Sequence, residues 1–196
     1  MQVFQRRRRD LLKVLRESKL DAMLISKPVN VTYLTGFTGD SSFLLLTPKR
    51  VLLLSDERFR LQIQEECPGL EAELRGAERN TYQLIGSVIT KLGLGSLAIE
   101  ANGLTLSEYD LLRELCETAE LVSKVNLVEP LRAIKDETEI DIIKKSIRVA
   151  ERAFTALCAT MSPTDTEKDL GDALENLVRR GGGSGLAFPP ICGIGD

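Results

Sequence analysis

The sequence contains no histidine and no tryptophan. Without imidazole, neither a Ser/His nor a Cys/His nucleophilic pair can be assembled from these residues. Four cysteines, Cys67, Cys116, Cys158 and Cys192, lie far apart with no C-x-x-C pair, so neither a zinc cage nor a dithiol redox motif is present. Cys67, Cys116 and Cys158 sit in apolar or helical surroundings and read as buried reduced thiols acting as small hydrophobes. Cys192 is a nucleophile only if a base stands beside it. No run approaches the roughly 20 apolar residues of a membrane span, and no secretory-length apolar stretch precedes a small-residue cleavage site. A net charge of −3, from 26 basic and 29 acidic residues, offers no field that favours nucleic acid or an anionic membrane. The expectation is a cytoplasmic protein with no nucleic-acid or membrane partner. Arg6-Arg7-Arg8-Arg9 is a local exception, but Leu11, Leu12 and Leu15 follow with helical spacing. The arginines therefore read as the wet side of a first helix that runs to about Lys19.

What is present is an ordinary globular composition, 43% hydrophobic and 28% charged over 196 residues. That length suits one domain, or one domain and part of another. DAMLIS (21–26) reads as a buried strand punctuated by Pro28. Leucine-rich runs at 41–46 and 50–55, joined through Pro48-Lys49, read as a hairpin. Their continuous apolarity implies cover on both faces. Helical spacing returns over 57–66 with Phe59, Leu61 and Ile63, and stops at Cys67-Pro68-Gly69. A helix over Tyr82 to Leu92, a strand at Leu97-Ala98-Ile99, a helix from Ser107 and a strand near Glu120-Leu121-Val122 complete the pattern. Strands and helices in alternation predict an α/β fold, with a mostly parallel or mixed sheet flanked by helices, over the first 125 residues.

After Pro130 the character changes to helix alone. Asp136 with Glu139 forms a capping-box pair, and Ile140, Ile143, Ile147, Ala150, Phe154 and Leu157 recur at three and four. Thr164 with Glu167 reads as a second box, opening a helix with Leu170, Ala173, Leu174 and Leu177 on one face and Arg179 and Arg180 at its end. Gly181-Gly182-Gly183-Ser184-Gly185 follows a helix instead of opening one, and no Gly-Lys-Ser/Thr occurs, so it is a turn and not a phosphate loop. Asp136, Glu137, Glu139 and Asp141 resemble a metal cluster on paper. They read more simply as helix-opening acids that oppose the macrodipole, with Lys144 and Lys145 as pairing partners. In Asn30-Val31-Thr32-Tyr33-Leu34-Thr35-Gly36-Phe37 the pattern suits a loop or short helix, and in Ser55-Asp56-Glu57-Arg58-Phe59 the aspartate suits a cap.

YLTGF (33–37), SDERF (55–59), IEANGLTLSEYDLL (99–112) and LRAIKDETEIDIIKKSIRVAERAF (131–154) together resemble the proline-specific pita-bread metallopeptidases. That family comprises Xaa-Pro aminopeptidases, prolidases and creatinase. The resemblance implies a creatinase-like N-terminal α/β domain over 1–125, a linker over 126–132, and the start of a pita-bread catalytic domain over 133–196. It implies that GLAFPPICGIGD corresponds to the first strand of that catalytic domain, with a substrate-side histidine beyond it. The ligands of two divalent metal ions (Mn, Co or Zn), namely two aspartates, a histidine and two glutamates, come later still in the family. The expectation is therefore a segment with no catalytic or metal-binding residue of its own, inactive alone and belonging to a longer parent that hydrolyses Xaa-Pro peptides. The resemblance further implies a homodimer through the N-terminal domain that restricts access to a neighbour's site. It makes Asn30 and Tyr33 the substrate-binding candidates, with core or loop packing as the alternative for each. A metal-free interaction module that binds peptides or proteins is the second functional reading, and creatinase-type hydrolysis a third.

Overall fold

The computed structural model describes residues 2–193. The chain divides into two compact units, Met1–Ile134 and Lys135–Asp196. The first holds α1 (Gln2–Glu17), β1 (Ala22–Ile25), α2 (Pro28–Thr35), β2 (Phe43–Leu46), β3 (Val51–Asp56), a 3-10 turn (Glu57–Phe59) and α3 (Arg60–Glu66). It continues with β4 (Glu71–Arg75), α4 (Thr81–Leu92), β5 (Ser96–Glu100), α5 (Leu106–Leu115), β6 (Glu120–Lys124) and α6 (Glu129–Ala133). Residues 126–132, expected as a linker, include most of α6.

The six strands form one mixed sheet in the order β4-β3-β2-β1-β5-β6. β2 runs antiparallel to β3, as the hairpin reading required, and also to β1, and the other pairings are parallel. Side chains alternate across a strand, and here both sides are dry. Leu24, Leu45, Leu52, Leu54, Leu97 and Ile99 meet Leu84, Ile85, Val88 and Leu112 of α4 and α5 on one face. Met23, Ile25, Leu44, Leu46, Leu53 and Ala98 meet Leu11 and Leu15 of α1, Val31 and Leu34 of α2, Ile63 and Val128 on the other. Continuous leucine runs are the sequence form of a sheet covered twice.

Two local expectations are corrected. β4 has no counterpart in the sequence reading: at the sheet edge it is only half-buried, and its charged Glu71, Glu73 and Arg75 disguise it. The arginine run is not uniformly wet, because α1 turns Arg7 toward the same side as Leu11 and Leu15, where it is buried. Asp56 caps the 3-10 turn as expected, accepting from the Arg58 N–H at 2.9 Å. The Phe37 and Phe59 rings meet edge to face at 5.7 Å, joining the YLTGF and SDERF tracts.

The second unit pairs α7 (Glu137–Thr160) with α8 (Glu167–Arg180) through Val149, Ala153 and Val178, with Leu174, Leu177 and Leu186 against them. The Asp136/Glu139 capping box forms. The second box is Thr166/Asp169 and not Thr164/Glu167, because Thr164 is taken up in a turn where its hydroxyl bonds Ser162 at 2.9 Å. Ile140, Ile143, Ile147 and Phe154 remain exposed, and Cys158, one turn beyond Phe154, is exposed where a buried thiol was expected. Residues 186–193 form no strand: Pro189 and Pro190 donate no N–H, and no partner strand lies beside them among the described residues. The final three residues of that expected strand lie outside the described residues.

α4 and α5 approach closely at Gly86, where a Cβ would lie 2.7 Å from the Leu115 carbonyl oxygen. Gly86→Ala is expected to lower the unfolding free energy by about 1–2 kcal/mol in urea titration, the overpacking cost exceeding the gain in helix propensity.

Candidate functional site

In open α/β sheets the crevice outside the carboxyl ends of parallel strands is the usual ligand position. Here β1 and β5 end side by side at Ile25 and Glu100, and that crevice is filled by the chain itself. Glu100 is 4% exposed. Its Oε2 accepts the N–H groups of Ser26 at 2.6 Å and Lys27 at 2.7 Å, where the chain turns from β1 into α2. Its Oε1 accepts from the Asn30 Nδ2 at 2.5 Å. A buried carboxylate thus satisfies orphan donors at a helix start, with favourable placement against the helix dipole. At Gly103 any Cβ would collide with the Ser26 Oγ at 2.2 Å, so the glycine of the IEANG tract lets the two loops close.

Asn30 is fully buried. Besides Glu100, its Nδ2 donates to the Glu129 Oε1 at 3.2 Å, and its Oδ1 accepts from Arg132 at 3.0 Å. Lys27 Nζ reaches the same Glu129 oxygen at 2.7 Å. Tyr33, half-buried, donates its hydroxyl to the Leu131 carbonyl at 3.0 Å. Its ring lies 4.1 Å beneath the Arg7 guanidinium, which also donates to the Tyr33 carbonyl at 3.0 Å. Both sequence candidates, one helical turn apart on α2, therefore hold α6 against the sheet end. Glu100, Glu129 and Arg132 complete the group. Sequence reading did not single them out, because their partners lie 70 to 102 residues away and no local pattern marks such contacts.

Burial pushes the Glu129 carboxyl up, but the Lys27 ammonium, its own backbone N–H and the Asn30 amide outweigh this and bring it down from 4.5 to about 2. A second concavity, of about 480 Å³, lies between α1, α3 and the Cys67-Pro68-Gly69 stop. Its Cys67 thiol donates to the Thr35 carbonyl at 3.4 Å, and burial, with the Glu66 carboxylate beside it, pushes its pKa up, against a nucleophilic role. Among the described residues no cluster of three or more His, Cys, Asp or Glu side chains is placed to hold a metal ion. The donor set of a dinuclear centre does not fit the residues present, and no catalytic step through metal can be derived from them.

The creatinase/prolidase N-terminal domain model matches residues 7–134. The chain belongs to this family. A second model, metallopeptidase family M24, matches residues 141–196. The uncharacterized peptidase YqhT of Bacillus subtilis is 29% identical over 176 residues, which cover 90% of this chain and 49% of that protein. An Xaa-Pro dipeptidase from Bacillus anthracis superposes with a TM-score of 0.86 at 26% identity, over 93% of this chain and 50% of that one. The N-terminal domain of the cytoplasmic peptidase PepQ from Mycobacterium tuberculosis H37Rv superposes with a TM-score of 0.59 at 35% identity, over 64% of this chain and 98% of that one. The chain thus spans about half the length of the relatives it matches end to end.

In this creatinase/prolidase N-terminal domain the polar group is expected to make acid stability depend on Glu129. Its carboxyl titrates lower folded than unfolded, so its contribution is present at neutral pH and is lost as pH falls below about 4.5 toward about 2. Lys27→Met is expected to shrink the drop in urea midpoint between about pH 6 and about pH 3, measured by circular dichroism. Asn30→Ala, which leaves buried partners unpaired, is expected to cost about 1–3 kcal/mol at neutral pH in the same titration.

Proposed function

We propose that this chain is the N-terminal half of a dinuclear-metal Xaa-Pro peptidase, an aminopeptidase or prolidase of the cytoplasm, whose substrates are proline-containing peptides. The observation that carries the reading is the tandem order of the two family matches, 7–134 and then 141–196, on a chain that covers half of its relatives. On this reading the α/β domain with its joining segment is followed by the opening helices of the catalytic domain, α7 and α8. Nothing long and apolar enough to cross a membrane occurs among the described helices, which fits a cytoplasmic enzyme.

On this reading the metal ligands and the reacting groups lie outside the part of the relatives that this chain matches. The first unit would then serve assembly, joining two subunits and limiting which peptides reach a site. Asn30 and Tyr33, the substrate-binding candidates, enter this reading through what they hold: both bond α6, the last element before the second unit's residues begin. On this reading their effect falls on the geometry of a site, not on bond breaking.

The purified chain, supplied with manganese or cobalt, is expected to release no amino acid from Xaa-Pro dipeptides above the metal-only blank. A chimera that continues it with the second half of the Bacillus anthracis enzyme is expected to turn them over in a metal-dependent way. Metal-dependent turnover by the chain alone would contradict the proposal.

A further inference from the structure

The sheet has two outer strands among the described residues, β4 and β6. An outer strand presents a row of backbone donors and acceptors to solvent, and a second copy of the same strand can satisfy them. The backbone phase of β6 decides how such a copy could pair. Glu120 donates its N–H to the Gly95 carbonyl at 2.9 Å, and the Lys124 carbonyl accepts from the Ala101 N–H at 2.8 Å. In a parallel ladder alternate residues direct their groups to the same neighbour. Glu120, Val122 and Lys124 are therefore bonded toward β5, and the N–H and C=O groups of Leu121 and Ser123 face outward.

An antiparallel copy bonds through opposite residues that exchange both hydrogen bonds, so outward residues must face outward residues. Near the middle of the strand only three two-fold registers meet this condition. Leu121 can face the partner's Leu121, Ser123 can face the partner's Ser123, or Leu121 can face the partner's Ser123 with Val122 on the axis. The third register alone sets Glu120 opposite the partner's Lys124, and Lys124 opposite the partner's Glu120, at both ends of the pairing. Opposite charges directly across a strand pair are favourable and like charges are not. The same register brings Val125, 63% exposed beside the strand, opposite the partner's Ala119. β4 fails this comparison. Setting Glu71 opposite the partner's Arg75 would place Glu73 against the partner's Glu73, and Arg75 is already bonded to Asp56 and to the Thr81 hydroxyl.

We propose that two copies of this chain join edge to edge through β6, antiparallel about a two-fold axis at Val122, so that their six-stranded sheets continue as one. The contact is isologous: each copy contributes the same five residues, and four backbone hydrogen bonds form from Leu121 and Ser123 of each. The inference rests on the reading that the first unit joins subunits, and it names the surface that would do so.

Sedimentation equilibrium on the 196-residue chain tests it through charge reversal at the exposed Glu120 and the half-buried Lys124. Glu120→Lys and Lys124→Glu are each expected to weaken self-association about tenfold, since each sets two like-charged pairs across the axis. Mixing these two variants is expected to restore association as a heterodimer, because every pair is again opposite in sign. The double variant E120K/K124E is expected to associate within about threefold of the wild type for the same reason. Val122→Cys, in a Cys158→Ser/Cys192→Ser background, is expected to form an inter-subunit disulfide on mild oxidation. A chain that stays monomeric at all concentrations overturns both this surface and the reading that the first unit joins subunits. Association that persists unchanged in both single variants, with no link at position 122, overturns the β6 contact alone and leaves assembly through another surface standing.

Discussion

Neighbouring residues in the central strands, Met23 and Leu24, Leu44 and Leu45, Leu52 and Leu53, point to opposite sides of the sheet, and all are buried. A sheet of this kind has no face that can be left to water. At about 25 cal/mol per Å² of apolar surface, uncovering either side would forfeit more than a domain of this size can lose. The unit therefore needs two helical layers, and the chain supplies α4 and α5 to one face and α1, α2, α3 and the segment around Val128 to the other. The crossovers fall in blocks, α2 and α3 joining α1 on one face before α4 and α5 cover the other, and α6 returns to the first.

The same requirement explains why the crevice at the carboxyl ends of β1 and β5 holds a closed polar group. Once α2 and α6 cover the sheet, the backbone donors at the start of α2 are cut off from water and must be met internally. Glu100 does this, and Asn30 converts its carboxylate into a contact with Glu129 and Arg132 on α6. A five-residue helix has no stability of its own. α6 exists because Val128 is buried beneath its start and the Asn30 and Lys27 side chains hold its polar side. Tyr33 adds a bond to the Leu131 carbonyl and receives Arg7 on its ring, which ties α1 into the same group.

Much of this is legible in the amino-acid sequence. Leucine runs without alternation announced a doubly covered sheet, and Pro48-Lys49 between two of them announced a hairpin. Capping boxes marked α7, because Asp136 and Glu139 act over three residues and a local signal suffices. β4 was not legible, since an edge strand with Glu71, Glu73 and Arg75 shows neither a continuous apolar run nor a clean alternation. Arg7 reads as wet because the run of four arginines hides which one the helix turns inward. The resemblance singled out Asn30 and Tyr33, but their partners are brought in by the fold from far along the chain, and Glu100 looked like one more residue of a tract. The exposed isoleucines of α7 were visible as a stripe, yet periodicity alone does not say what covers a stripe.

The central claim is that the buried Glu100–Asn30 group binds α6 into the first unit as part of its core. Native-state hydrogen exchange on the intact chain measures this directly, because the Leu131 and Arg132 amides bond to the Val128 carbonyl, at 3.0 and 3.2 Å within one short turn. Those amides are predicted to exchange with the same opening free energy as the amides of α2 and β5. Exchange at the rate of an unprotected helix end, independent of α2 and β5, would contradict the account.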